Sequence, residues 1–527
     1  MSINPDLFIF LLSILISVIA RLIFISFIKK KTINNIFGDA SIHYKIIKEI
    51  KKNGLKNFHI HNYIIPGKIF SPILFHLFSS LFPVKNLECK PYLPNLIIYI
   101  IFLLYLSTYS FYLFSEISSQ PFILSAYVVF LFTISMNNFI FRGSQINYVL
   151  LSERLLGRLI TSSFVLSIFG FYLFDNLLNF LLSYFFAILI FISSKFAIQS
   201  IVFFTIILSI LNINLSPIIL LLLALISASL ISKGYAFRSF KNTFIYLSIY
   251  KKFITNSRFK KPLLNTYLDL NTFFQVLKFK NLTASLKYFF SNEPGRSILS
   301  HFDLFLILPL LIYFIGYDSI ISNNFFILKI LLACIIPYLL ISNKYLSFAG
   351  ESYRYLEYLL TFLIPILIVY LSLIHMVNIN FILILFLFMF IFSIFFRFNF
   401  VNNKENHNLN EEINRKYLNE IIIESNITSK DIIFSVDMRL GTEVAARTNC
   451  KTFWWQPGGL ADKNIFSYFI EEYPFLSSKN FEKIYKKYLF TKIIINNDLY
   501  KTSGIKYDFK NFLVINYNKY YTVYKHK

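Results

Sequence analysis

Unbroken apolar runs, rather than alternation or a helical stripe, dominate positions 1–400 of the chain. Runs of about 18 or more such residues mark membrane-spanning helices, because lipid offers no partner to backbone N–H and C=O groups and a helix satisfies them internally. The first, Asp6 to Ile28, ends in Lys29-Lys30-Lys31. It is too long for a signal-peptide core and lacks a small-residue cleavage site, so it reads as a retained anchor. Further runs fall at Leu93–Phe114, Phe122–Met136, Leu155–Phe174, Leu177–Ser194 and Phe196–Leu211. Others are Pro217–Ile231, Leu304–Ile321, Phe325–Ile341, Glu357–Met376 and Ile379–Phe396. Together they predict about eleven spans. Connections as short as Asp175-Asn176 make the flanking helices antiparallel neighbours.

Polar intervals break this pattern. The first loop, 29–92, contains "FGDASIHYKIIKEIKKNGLKNFHIHNYIIPGKIFSPILFHLFSSLFP" from Phe37 to Pro83. Asn137–Arg158 follows, then the strongly basic and aromatic stretch 232–301, then Ser342–Tyr358. Beyond Arg397 the composition turns polar: 401–416 reads as a linker and 417–527 as a soluble domain. Within that tail "DIIFSVD", "KTFWW", "TKIIINND" and "FLVINYNKYYTVYK" predict strands, and "EVAAR" and "NFEKIYKKYL" predict helical pieces. "QPGGL" (Gln456–Leu460) is a turn without the glycine spacing of a phosphate loop. The predicted fold class is an α-helical polytopic membrane protein, about 11 transmembrane helices in residues 1–400, with a small C-terminal α/β domain. Each long loop and the tail follow an odd-numbered span, so all share one side of the membrane.

Composition adds to this. The chain has 527 residues, 56% of them apolar with 64 Phe, more apolar surface than a soluble domain buries. Its net charge of +24 sits mostly in loops between apolar runs. Anionic lipid headgroups or a phosphate-bearing lipid fit that placement, and nucleic acid does not. The positive-inside rule would put the basic loops in the cytoplasm, with weak force, since the opposite face carries almost no residues to compare. The three cysteines, Cys89, Cys334 and Cys450, form neither a metal spacing nor a disulfide framework.

Candidate chemistry concentrates in the loops. Asp39 precedes an amphipathic helix whose apolar face is Ile42, Ile46, Ile47 and Ile50. It reads as an N-cap or as a general base at the membrane surface, and a cap would fix the carboxylate's position. His43 lies one turn further on the same face. His59 and His61 alternate in an extended stretch, and His76 lies beyond the Ser71-Pro72 turn. Their spacing fits no standard metal pattern, so no cofactor is expected, a divalent metal being the alternative. Arg142, Arg154 and Arg158 read as snorkelling to lipid phosphates or as ligands to one. In "GESYRYLEY" Glu351 and Arg354 form either a surface ion pair or an arginine fork for phosphate, oriented by the glutamate. The 232–301 stretch suits a helix lying in the interface over anionic lipids.

Taken in order, these features resemble the polytopic glycosyltransferases of the GT-C type, the mannosyltransferase/arabinosyltransferase-like superfamily that uses polyprenyl-phosphate-linked sugars. The resemblance rests on a first span followed by "GDASIHY", the turn-plus-helix "SPILFHLFSSLFP", and the late "GESYRYLEY" leading into another helix. It covers roughly residues 1–400. It implies an inverting transfer in which Asp39 deprotonates an acceptor hydroxyl of a glycan, lipid or protein, and Arg354, with Arg142 or Arg154, holds the departing lipid phosphate. His43, His59, His61 and Glu351 would line the substrates. It also implies that the loops and tail lie outside the cytoplasm, at a bacterial inner membrane, against the charge-counting answer. The chain departs from the family pattern where Ala40 follows Asp39 in place of a second acid, and where Gln456 follows Trp454-Trp455. A many-span polysaccharide polymerase or ligase is the alternative enzyme, and a transporter or lipid flippase the alternative of another class.

Overall fold

A computed structural model describes residues 4–31, 39–54, 64–65, 72–139, 151–256, 321–341, 346, 349–350, 353–374, 405–435, 438–453, 476 and 478–527. In chain order the elements begin with α1 (Pro5–Lys31), α2 (Asp39–Asn53), β1 (Ile64–Ile65), α3 (Leu74–Ser79) and α4 (Val84–Cys89). Next come α5 (Leu93–Ser115), α6 (Pro121–Phe139), α7 (Arg154–Phe174), α8 (Leu177–Ser193), α9 (Lys195–Asn212), α10 (Ser216–Ile231) and α11 (Tyr235–Asn256). Then follow α12 (Ile321–Ile341), α13 (Tyr353–Leu360), α14 (Leu363–Ile374) and α15 (Glu405–Glu424). The last are β2 (Ile432–Ser435), α16 (Met438–Thr448), β3 (Lys451–Phe453), α17 (Ser478–Tyr488), β4 (Lys492–Asn496), α18 (Asn497–Ser503), β5 (Phe512–Tyr517) and β6 (Tyr521–His526). Two compact units result. One comprises Met1–Ile33, Pro91–Ile231 and Leu263–Asn402, the other Asn34–Lys90, Ser232–Pro262 and Asn403–Lys527.

The first unit is a helix bundle of membrane character. Among the described residues four helices are long and apolar enough to cross a bilayer: Pro5–Ser26, Leu93–Ser115, Arg154–Phe174 and Lys195–Asn212. A fifth arises if Arg354–Leu360 and Leu363–Leu373, bent by 54° at their junction, form one broken span. The apolar helices Pro121–Met136, Leu177–Ser193, Ser216–Ile231 and Phe325–Ile341 are shorter. The described residues therefore fall short of eleven spans, and the expected runs Leu304–Ile321 and Ile379–Phe396 lie outside them. Polar punctuation shortens the others: Asn176 caps α8 by accepting from Asn179 N, and Ser194 both ends α8 and caps α9.

α7 runs through the centre of this bundle, packing on α8, α9 and α13. Most of its length is buried, from Leu155 to Gly170. Small residues allow that close approach, as in helix packing within lipid. A Cβ on Gly157 would overlap Ser194 at the start of α9, and one on Gly170 would overlap the Tyr109 hydroxyl of α5. Tyr109 donates to Asn179 Oδ1 at 2.6 Å, which ties α5 to α8. The outer helices keep apolar side chains exposed: Phe8, Leu11, Leu15 and Ile23 on α1, and Leu222, Leu223 and Ile226 on α10. That is a surface suited to lipid chains, and it supports a helical membrane protein.

The second unit is a six-stranded sheet with helices, in the order β1-β3-β2-β4-β6-β5. β1, β3, β2 and β4 run parallel, and β6 and β5 complete the sheet antiparallel. The "KIII" of β4 is buried at every position, as expected of a strand covered on both faces. Ile493 pairs with Phe434 on one side and Tyr524 on the other. β1 comes from the first loop: Ile64 and Ile65 pair in parallel with Thr452 and Phe453. α2, also from that loop, packs against α16 and places Ile46 and Ile50 in the same core as Val444, Ile433 and Ile494. The stretch 401–416 is read as a linker in the sequence, and α15 begins within it at Glu405. That helix ends by burying Leu418, Ile421 and Ile422, which belong to the tail domain 417–527, in this core.

Candidate functional site

Within the bundle, the first turns of α7, α9 and α13 lie together. Each helix start carries the positive end of a helix dipole, and each also carries a basic side chain near it: Arg154 and Arg158, Lys195, and Arg354. Arg154 N donates to Ser152 Oγ at 3.3 Å, which turns the chain into α7. One helical turn later Arg158 is wholly buried, and its Nε donates to Thr361 Oγ1 at 2.6 Å. Thr361 in turn donates to the Glu357 carbonyl, and Ser162 Oγ donates to the Tyr358 carbonyl at 2.9 Å. These bonds hold α7 against the break between α13 and α14.

Arg354, 7% exposed, stacks its guanidinium over the Phe196 ring at 4.3 Å. Tyr355 donates to Gln199 Oε1 at 3.2 Å and fixes the same helix to α9. The Tyr358 hydroxyl meets Ser194 Oγ at 3.4 Å and lies within electrostatic reach of Arg354, Arg154 and Glu153. Glu153 also acts on Lys195. Arg154, Arg354 and Lys195 are thus gathered about Glu153 and Tyr358, with buried Arg158 and Glu357 on two of the same helices. Charge in such surroundings is costly, and its concentration marks a ligand pathway or anion site by default.

In the sheet unit, α2 begins at Asp39, the first helical residue. His43 Nδ1 and His76 Nε2 are 2.9 Å apart, with the two rings stacked at 5.1 Å and Phe75 set edge-on to both. His76 is buried, and burial first, then the neighbouring His43, push its pKa well below the ordinary 6.5. Lys45, also buried, pairs with Glu49 at 2.9 Å and donates to Asn449 Oδ1 at 3.3 Å.

A pH dependence follows. Below pH 6.5 an unfolded chain protonates this histidine, whereas the folded one keeps it neutral down to its lowered value. Its contribution to stability is full above pH 6.5 and falls as pH drops toward the folded pKa. Melting temperature measured from pH 7.5 to pH 5 should fall more in the wild type than in His76→Leu. Parallel curves for the two proteins refute a neutral buried His76.

The sequence candidates divide as follows. Arg154 and Arg354 fall together in the bundle cluster, and His43 falls in the histidine pair of the sheet unit. Asp39 is placed only by its backbone, at the start of α2. His59, His61, Arg142 and Glu351 lie outside the described residues, as does Gln456–Leu460. Snorkelling is excluded for Arg158, whose side chain is turned inward to Thr361. Tyr358 and Lys195 join the cluster, and Glu357 lies on the same helix as Arg354, without having been singled out as ligands. Glu357 was readable: it stands three residues after Arg354, the mirror of the spacing that drew notice to Glu351. No family model matches this sequence, and no curated protein matches it.

Proposed function

We propose that the chain is an integral membrane glycosyltransferase of GT-C type, with about eleven spans, that moves a sugar from a polyprenyl-phosphate donor to an extracytoplasmic acceptor. The observation that carries this reading is the group of cations at three helix starts, with buried Arg354 stacked on Phe196 and buried Arg158 anchored to the broken helix. A lipid phosphate is the anion that an apolar helix bundle can reach, and arginine forks match its oxygens. Helix N-termini add fixed dipoles of the right sign. Asp39 takes the proton of the acceptor hydroxyl, and the resulting oxygen attacks the anomeric carbon from the face opposite the phosphate. The bond from that carbon to the phosphate oxygen breaks, and its electron pair leaves with the lipid phosphate. Arg354, with Arg154 and Arg158, neutralises the charge that grows on the leaving oxygen. The acceptor is a glycan, lipid or protein on the outer face of a bacterial inner membrane.

A second reading has an observation of its own. The 54° break between α13 and α14, beside buried arginines, is the kind of discontinuous helix that transporters use for anionic substrates. One experiment separates the two. Purified protein in nanodiscs and in sealed vesicles is given polyprenyl-phosphate donors radiolabelled in the sugar. Transfer predicts label on a new acceptor and release of polyprenyl phosphate. Uncleaved donor appearing on the opposite leaflet, with no released lipid phosphate, overturns the transferase reading in favour of transport.

A further inference from the structure

The end of α2 remote from Asp39 borders a feature that the transfer chemistry does not use. A cavity of about 520 Å³ is lined by Lys48, Glu49, Lys51 and Lys52 of α2, Val84 of α4, Ser429, and Asn449 and Lys451 at the entry to β3. Lys48 and Lys52 lie nine and thirteen positions along the helix from Asp39, roughly 14 and 20 Å at 1.5 Å per residue. The cavity therefore lies far from any chemistry at Asp39.

We propose that this cavity binds a phosphate-bearing anion of diphosphate or sugar-phosphate size. Lys48, Lys51 and Lys52 follow the three- and four-residue spacing that brings side chains to one helix face. Lys451 reaches the same cavity from a segment about 400 positions later in the chain. That convergence separates the arrangement from an ordinary solvated helix end, where lysines merely complement the dipole. The single acid of the lining is already engaged, since Glu49 pairs with buried Lys45. Among the described residues, none of the four lysines is in an ion pair. Four like charges about one concavity repel one another, and an anion relieves that repulsion.

Uncharged donors complete the lining. Asn449, held in left-handed backbone at φ 61°, turns the chain from α16 into β3. Its Oδ1 accepts from Lys45, which leaves its amide hydrogens as donors, and Ser429 offers a hydroxyl. Burial, followed by the charge of Lys45, lowers the Lys48 pKa, and the carboxylates of Glu88 and Glu49 act in the opposite sense. Among the described residues no aromatic side chain lines the cavity for a base to stack on, so phosphate chemistry is favoured over nucleic acid. Its volume suits a small ligand rather than a chain.

The test uses the full-length protein in nanodiscs of uncharged lipid, with inorganic pyrophosphate titrated calorimetrically at low ionic strength. Saturable one-site binding is expected, weakened about tenfold by Lys48→Gln and by Lys451→Gln, each drawn from a different wall. Lys486→Gln, an exposed lysine paired with Glu482 on α17, should leave it unchanged. Melting temperature checks that each variant is folded. Two further arms identify the source of the phosphate: competition by glucose 1-phosphate marks a soluble or glycan-borne group, and competition by anionic lipid in the nanodisc marks a headgroup. Absence of saturable binding, or equal weakening by Lys486→Gln, overturns the proposal. Since the readout is binding, either result leaves the transfer reaction to be judged by its own assay.

Discussion

In the proposed transfer, replacing Arg354 with alanine should lower the rate from a polyprenyl-phosphate donor by about a hundred- to a thousandfold. The size follows from where the group acts. As the bond to the sugar breaks, negative charge concentrates on a phosphate oxygen in surroundings that water does not screen, where a fixed cation is worth far more than at a surface. Arg354 is suited to that task because it is fixed before the reaction: Phe196 stacks beneath the guanidinium, and the Tyr355–Gln199 bond holds the helix that carries it. Arg354→Lys keeps the charge and loses both the planar fork and the stacking, so it should recover only part of the rate. Phe196→Leu should cost less than either, since it loosens the arginine without removing it. Initial rates with radiolabelled donor, on protein whose melting temperature matches the wild type, decide the matter. An alanine variant within about threefold of wild-type kcat/KM would remove Arg354 from the transition state.

Legibility in the sequence followed the range of the interactions. Membrane helices could be read because lipid imposes a local condition, a sustained apolar run, and α1, α5, α7 and α9 meet it. The tail strands could be read for the same reason: "KIII" and "IIF" are continuous apolar segments bounded by polar turns. What no local pattern carries is pairing across long separations. β1 is two residues, Ile64 and Ile65, and nothing within them announces a partner at Thr452 and Phe453. The polar first loop reads as part of the membrane-side catalytic region, and α2 and β1 complete the core and edge of the tail sheet. His43 and His76 were both noticed, but a separation of 33 positions has no helical or strand period that would join them.

The same distinction governs the arginines. Their presence in a polar interval was visible, whereas inward or outward orientation depends on what stands opposite. Thr361 meets Arg158 from 203 positions away, and Ser194 closes on Gly157 at a contact that only a residue without Cβ permits. Glycine followed by arginine in "LLGRL" is therefore the local trace of the packing, intelligible once α9 and α13 are in place.

Asp39→Asn should abolish most of the remaining chemistry, a fall of about a hundred- to ten-thousandfold in transfer, with donor binding little changed. The asparagine keeps the volume and the capacity to cap a helix, so α2 should form as before. What disappears is the ability to accept a proton. That separation makes the variant informative, because Asp39 is the first residue of α2 and both of its proposed duties fall on one side chain. Asp39→Glu retains the carboxylate one methylene further out and should retain a fraction of the rate, with the acidic limb of the pH–rate profile preserved. In the asparagine variant that limb should vanish along with the rate. Full activity in Asp39→Asn would reduce the residue to a helix cap and favour a polymerase or ligase chemistry in which an arginine-held phosphate needs no carboxylate base.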